Sequence, residues 1–351
     1  MKIGLANNLY PPYGRDSGAE IVCQKMAVDF EQAGHDVFII TTKTKDLECE
    51  RNNNIYYLKS NYNNLNKFSF SKRFIWHIWQ LILPPHQRKL KKIIKYEKPD
   101  LFISHNLLGL SFALPKILTH NNIEHHHVLH DIQLLHPSGL MYLGEEKKID
   151  NLIAKVYQSL TKRLFKKTKK IISPSKWLLD LHQRKKIFPN SLQEVIPNFN
   201  LQRIQAKEKN EIVKFIFAGQ LEPHKGIELL LSAWKNCNFQ KSTALLTIVG
   251  SGSLDKFINS KISNLSNINY LGRVPRESME NILNKHDVVI LPSLVYENSP
   301  TIIWEAAKYG LRAIASNLGG TIELSEYLEL ELFEAGNEED LTKQILHATI
   351  K

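Results

Sequence analysis

A chain of 351 residues exceeds what one hydrophobic core ordinarily organises, so two domains are expected. Its 43% hydrophobic and 23% charged residues exclude a disordered or fibrous protein, and its three cysteines, Cys23, Cys49 and Cys237, form no Cys-x-x-Cys pair for zinc or redox chemistry and suit a reducing cytoplasm. The net charge of +11 is lopsided: residues 1–200 carry 30 Lys and Arg against 17 Asp and Glu, residues 201–351 only 16 against 18, so the first half is built to meet something anionic.

The opening MKIGLANNLYPPYG reaches turn residues too early for a secretory signal, and Lys2–Ala6 reads as a first buried strand. Gly18 follows, just before a helix expected to start near Ala19; lacking a side chain, it lets the backbone approach a phosphate or an acceptor. The apolar runs Asp36–Thr41, Leu101–His105, His126–His130 and Lys170–Ser173 alternate with segments of helical period, the pattern of a parallel sheet covered by helices. The Asn-rich tracts Asn52–Asn54 and Asn61–Asn66 read as polar loops. Phe74–Leu83 (FIWHIWQLIL) is about half of what a bilayer-spanning helix needs. Wound as a helix, it places Arg73, His77 and Gln80 on one narrow polar stripe, which fits either a helix buried in the core or one lying at a membrane surface. Arg88, Lys89, Lys91, Lys92 and Lys95 follow; residues 51–100 hold 11 basic and 2 acidic side chains, as do residues 151–200. Tryptophans beside a basic run suit an anionic membrane surface. The run His125–His127 alternates across a strand, so its rings do not converge on one metal ion.

Pro197 and Asn198 interrupt the pattern, and the polar stretch to Gln205 marks a boundary between an N-terminal domain, 1–197, and a C-terminal domain, 198–351. A second alternation follows: Val213–Ala218, Ala244–Val249, Ile268–Leu271, Val288–Leu291 and Arg312–Ala315. The class is α/β with two Rossmann-like halves, ligands being expected in the cleft at the carboxyl ends of the strands. In FAGQLEPHKG a turn delivers Lys225, whose ammonium can neutralise a leaving diphosphate. In LPSLVYENSPTIIWEAAKYG a strand ends, a Ser-Pro turn follows and a helix starts at Thr301. The helix start at Ser299, Pro300, Thr301 and Ile302 offers free amides and a positive dipole end to a phosphate. Glu297 and Glu305, eight residues apart, bracket that point, and carboxylates accept hydrogen bonds from sugar and ribose hydroxyls. Gly319 and Gly320 mark a later turn, with Glu323 on the helix after it.

ENSPTIIWEAAKYG resembles the Glu-x7-Glu motif of the retaining glycosyltransferases of glycosyltransferase family 4. PPYGRDSGAE, HDIQLLHPSG, FAGQLEPHKG and YLGRVPRESMENILNKHDVVILPS fall in the family's order, so the resemblance spans nearly the whole chain. It implies the GT-B fold: an N-terminal acceptor-binding and a C-terminal donor-binding Rossmann-like domain facing each other across a cleft. It further implies transfer, with retention, of a hexose or related sugar from a nucleotide diphosphate sugar to a glycan or lipid-linked acceptor, in cell-surface polysaccharide or lipopolysaccharide synthesis. No metal or other cofactor and no protein nucleophile is implied. By the same resemblance Glu297 holds sugar hydroxyls, Glu305 the ribose, Lys225 the departing diphosphate, and His130 faces the transferred sugar. The sequence departs from the family at two places. Gln220 stands where the family has an Arg, with Arg273 or His224 available in its stead, and Arg15-Asp16-Ser17 replace glycines before Gly18.

The alternative reading, which Gln220 keeps open, is a non-catalytic nucleotide-sugar-binding subunit of a glycosyltransferase complex. A nucleotide-sugar epimerase would need acid and base carboxylates that the first domain does not offer. A nucleic-acid binder would need a recognition motif or interleaved aromatics that the sequence lacks, so no nucleic-acid partner is expected. The expected location is the cytoplasm, peripheral at the inner face of the membrane. The resemblance also implies a helix crossing back to the first domain beyond EAGNEEDLTKQILHATIK, where the sequence ends.

Overall fold

A computed structural model describes residues 1–13, 18–43, 51–198, 211–239, 243–263 and 265–350. Arg15, Asp16, Ser17, Cys49 and the polar stretch from residue 199 to Gln205 lie outside the described residues. The chain divides into two compact units, one of residues 1–140 and 147–197, the other of residues 141–146 and 198–351.

The first unit contains β1 (Lys2–Ala6), α1 (Gly18–Gln32), β2 (Asp36–Lys43), β3 (Arg51–Asn52), β4 (Ile55–Lys59), α2 (Phe70–Ile82), α3 (Gln87–Glu97), β5 (Leu101–Ser104), α4 (Leu114–His120), β6 (Glu124–Val128), α5 (Leu152–Phe165), β7 (Lys170–Ser173), α6 (Lys176–Arg184) and β8 (Leu192–Val195). Its strands form one sheet in the order β3-β4-β2-β1-β5-β6-β7-β8, parallel except for the short β3, which runs antiparallel to β4. Ile3, Leu5, Val37, Ile39, Ile103 and Val128 pack with Cys23 and Ala27 of α1 into one core. Each such aliphatic side chain contributes about 1.5–3 kcal/mol on burial. Two helix starts are closed locally: the Asn151 side chain accepts from the Ala154 amide ahead of α5, and Ser175 Oγ from the Leu178 amide ahead of α6.

Several expectations change here. Asn52 ends β3 and Asn53 and Asn54 form the hairpin turn to β4, and Tyr62–Lys67, which takes in most of Asn61–Asn66, is a 3₁₀ helix rather than an open loop. β6 starts at Glu124, opposite Leu101, and ends at Val128, so His130 lies two residues past the strand. In α2 the stripe of Arg73, His77 and Gln80 does not act as one face: Arg73 is exposed, His77 is half-buried, and Gln80 is buried with its Oε1 accepting from the Gly109 amide. Ile75, Trp79 and Ile82 are instead more than half exposed, which does not suit a helix buried in a core. No helix of the described residues is long and apolar enough to cross a membrane.

The second unit contains β9 (Val213–Ala218), α7 (Ile227–Asn236), β10 (Ala244–Val249), α8 (Asp255–Ile262), β11 (Ile268–Gly272), α9 (Arg276–Leu283), β12 (Val288–Leu291), α10 (Thr301–Lys308), β13 (Arg312–Ser316), β14 (Leu330–Phe333) and α11 (Glu338–Ile350). Its parallel sheet runs β11-β10-β9-β12-β13-β14, with apolar layers on both faces. The strand order reverses between β9 and β12, and such a switch point opens a crevice at the carboxyl ends of the two strands. The segment Met141–Glu146 belongs to this unit, although a boundary at 197 alone assigns it to the first. The reason is main-chain pairing: Tyr142 bridges Val295 in antiparallel fashion, the Leu143 amide donates to Leu294 O at 3.0 Å, and the Tyr296 amide donates to Met141 O at 2.9 Å.

Candidate active site

The loops that leave β9 and β12 at the switch point carry Lys225 and Glu297. After β9 the chain runs through Gln220 to a 3₁₀ turn, Pro223–Lys225, and enters α7 at Gly226. Gly226 has φ +70°, and a Cβ there would stand 1.8 Å from Pro292 O, so only glycine lets this turn lie against the loop after β12. The consequence is an ion pair, Lys225 Nζ to Glu297 Oε1 at 2.7 Å, between residues 72 apart in sequence. Ser293 Oγ donates to the same oxygen at 2.7 Å. Burial would raise the Glu297 carboxyl, but the Lys225 ammonium and the Ser293 hydroxyl outweigh it and hold it below the ordinary range. The Glu297 main chain is fixed as well: its carbonyl accepts from the Gly320 amide at 2.8 Å, and a Cβ on Gly319 would come within 2.3 Å of it.

The α10 start follows at once. Pro300 is its N-cap and supplies no side-chain cap, so the amides of its first turn are not closed in that way. Ser299 is largely buried; its Oγ accepts from the Trp304 indole at 2.8 Å and its carbonyl from the Asn198 side chain at 3.2 Å. Thr301 and Ile302 are partly exposed. Glu305 does not join the Lys225–Glu297 pair. It lies 3.6 Å from Arg276 Nη2 at the start of α9, and burial raises its carboxyl against the opposing pull of that guanidinium.

Gln220 is exposed. Of the two basic residues considered in its place, His224 is not a cation at neutral pH, because burial and the adjacent Lys225 lower its pKa. Arg273 is exposed just past β11. Sequence reasoning missed Arg276, whose contact with Glu305 joins two helices and leaves no spacing signature, and Ser293, whose only signal is its place two residues past β12. Glu323 lies in the 3₁₀ segment Gly319–Glu326.

In the first unit Gly18 is the first residue of α1. His130 is partly exposed beside a small cavity bordered by Asn106, Phe112, His127, Asp131 and Gln133. Asp131 Oδ1 accepts from the Gln133 amide at 2.6 Å, yet burial pushes its carboxyl up to about 6. His125 and His127 face one way, onto Ser104 Oγ at 2.7 and 2.8 Å, while His126 pairs with Glu124. Among the described residues no group of three or more His, Cys, Asp or Glu side chains is arranged to hold a metal ion.

Two parallel α/β units, with a cation–carboxylate pair at the switch point of the second, define a GT-B glycosyltransferase. The chain belongs to glycosyltransferase family 4: the family model described as Glycosyltransferase Family 4 matches residues 17–199, and that described as Glycosyl transferases group 1 matches residues 198–349. It is 25% identical over 343 residues to an uncharacterised 42.6 kDa protein in the cps region of Klebsiella pneumoniae, covering 93% of this chain and 88% of that one. It is also 25% identical over 214 residues to the lipopolysaccharide 1,2-N-acetylglucosaminetransferase of Salmonella typhimurium, 54% of this chain and 55% of the other. Among solved structures, Anabaena Alr3699/HepE in complex with UDP shares the fold with a TM-score of 0.69 at 15% identity, over all of this chain and 90% of that one.

Proposed function

We propose that the chain is a retaining, hexosyl-type glycosyltransferase that moves a sugar from a nucleotide diphosphate donor to a glycan or lipid-linked acceptor in cell-surface polysaccharide or lipopolysaccharide synthesis. The observation that carries this reading is the Lys225–Glu297 pair set directly ahead of the open N-terminus of α10. In this reading the diphosphate binds Lys225 and the amides from Ser299 to Ile302, with Pro300 shaping the turn, Glu305 holds the ribose, and Gly18 leaves the backbone free to approach phosphate or acceptor. Glu297 Oε1 is occupied by Lys225 and Ser293, so its Oε2 is the oxygen assigned to the sugar hydroxyls. The anomeric carbon–oxygen bond to the phosphate breaks, and the acceptor oxygen bonds to the same face. The acceptor proton passes to the leaving phosphate oxygen, and His130 hydrogen-bonds the sugar. The cationic work is assigned to Lys225 and the amides, without a metal.

A donor of the uridine type is the first to try, since Anabaena Alr3699/HepE is solved with UDP, and the Klebsiella and Salmonella relatives support the polysaccharide or lipopolysaccharide setting. The test is a screen of UDP-glucose, UDP-galactose, UDP-N-acetylglucosamine and GDP-mannose for hydrolysis and for thermal stabilisation. Hydrolysis with release of the same anomer supports the reading. Release of the opposite anomer overturns retention, and tight binding without turnover would favour the non-catalytic subunit.

The proposed location is the inner face of the cytoplasmic membrane, held peripherally. α2 exposes Ile75, Trp79 and Ile82 where a soluble helix would hide them, and α3 follows with Arg88, Lys89, Lys91, Lys92 and Lys95 all exposed. The two carboxylates of this stretch are turned to β1: Glu97 pairs with Lys2 at 2.5 Å and Asp100 accepts from the Lys2 amide at 2.7 Å. α5 repeats the arrangement, with Leu152, Ile153 and Val156 exposed next to Lys155 and no acidic residue along the helix. Apolar and aromatic side chains for the interface, backed by a run of exposed cations, match an anionic bilayer.

A further inference from the structure

We infer that His105 is a positioning residue for His130, fixing which of its two ring nitrogens carries the proton; the inference takes from the proposed function only that His130 works at the sugar. His105 follows β5 and His130 follows β6, neighbouring strands of one sheet, and the His105 amide is anchored by donating to Ala6 O at 2.8 Å. The two rings lie nearly parallel, 21° apart with centroids at 5.1 Å, and His105 Nδ1 stands 2.8 Å from His130 Nε2. His105 is wholly buried, and His127, the other titratable ring facing this pair, is buried too. Burial keeps all three imidazoles neutral at pH 7.

A neutral imidazole has one N–H and one lone pair, so a single proton lies between Nδ1 of His105 and Nε2 of His130. Two arrangements satisfy that contact. If His130 Nε2–H donates, the proton of His105 sits on its own Nε2, an atom that is buried with no hydrogen-bond partner among the described residues. If His105 Nδ1–H donates, the atom left over is a bare lone pair. An orphaned buried N–H is rarer in folded proteins than an under-satisfied acceptor, so the second arrangement holds. His130 then accepts on Nε2 and carries its proton on Nδ1, the tautomer that a solvated histidine disfavours. Through Nδ1 it can act only as a donor, and its Nε2 lone pair, engaged by His105, is not available as a general base.

The test uses the full chain labelled with 15N-histidine at pH 7, the His130 signals being assigned by their loss in His130→Gln. The expected result is the Nδ1–H pattern in the wild type, retained in His105→Asn, whose side-chain amide donates from nearly the same place, and switched to Nε2–H in His105→Leu. An Nε2–H pattern in the wild type overturns the inference, and this holds even if His105→Leu fails to fold. In the kinetic arm, with the nucleotide sugar most rapidly hydrolysed in the screen above, His105→Leu should lower kcat at least tenfold with KM within twofold, and His105→Asn should recover most of the loss. Unchanged kcat in a folded His105→Leu removes the positioning role. A wild type without turnover counts against the proposed function and leaves the tautomer result to decide the inference.

Discussion

Moving from pH 7.5 to 5.5 should unfold the first unit selectively, because its sheet is built around histidines that must stay neutral. His105, His125, His127 and His182 are all buried; burial lowers His125 to about 3 and His182 to about 4, and carries His105 and His127 well below the ordinary value. The unfolded pKa is about 6.5. A folded pKa below the unfolded one means that stability is complete above about pH 6.5 and is lost as the pH falls from there toward the folded values. At pH 5.5 an unfolded histidine is about nine-tenths protonated while its folded counterpart stays largely neutral, a difference of somewhat over about 1 kcal/mol each, or on the order of 5 kcal/mol for four. Asp131 works in the opposite sense: its carboxyl, raised to about 6, takes up a proton in the folded state and returns just under about 1 kcal/mol over the same interval. The net loss of about 5 kcal/mol is comparable to the whole stability of an ordinary domain. Urea unfolding at constant ionic strength should show a shallow decline from pH 7.5 to 6.5, a steep one below it, and, from these five groups, a net uptake of about three protons near pH 5.5. His125→Gln should remove about one of them. A stability that is flat or rises as the pH falls would refute the argument.

Glu297→Gln and Glu305→Gln should each cut turnover by on the order of 10²-fold with the melting temperature within a few degrees, and wild-type turnover in either would remove that residue from the site. Lys225→Ala should weaken UDP binding about tenfold while leaving uridine nearly unchanged, measured by calorimetry; equal losses would end its phosphate role. Anionic vesicles should co-sediment the protein at low salt and less at high salt, and Trp79→Ser should reduce the fraction that salt does not release; no binding to anionic vesicles at low salt would end the membrane reading.

The parts of the fold that could be read from sequence are those buried on both faces. Val288–Leu291 is a continuous apolar run, Val213–Ala218 is one but for Lys214, and both have matching bounds in the sheet. β8, LQEV, is exposed throughout at the sheet edge, and β14, LELF, alternates; neither offers an apolar run to recognise. At the site, Glu297, Glu305 and the start of α10 stood out in one contiguous segment. The Lys225–Glu297 contact itself, and that of Arg276 with Glu305, depend on loops meeting at a switch point and leave no periodic trace. For α2 the stripe was legible but not its sense. Periodicity says that a helix has two faces, and only the fold decides that Gln80 goes inward while Trp79 stays out.

Residues 141–146 bear on how such proteins can be recombined. Their main chain completes the hydrogen bonding of Leu294 and Tyr296, and the Tyr296 hydroxyl donates to Glu146 at 2.8 Å, one residue before Glu297. A chimera that takes residues 1–197 from a relative and 198–351 from this chain therefore imports a foreign brace for its own Glu297 loop. The modular boundary of this protein is not one peptide bond but three, at 140/141, 146/147 and 197/198. A graft that carries residues 141–146 along with the second half keeps the Glu297 loop in its native setting, and a cut made at 197 alone does not.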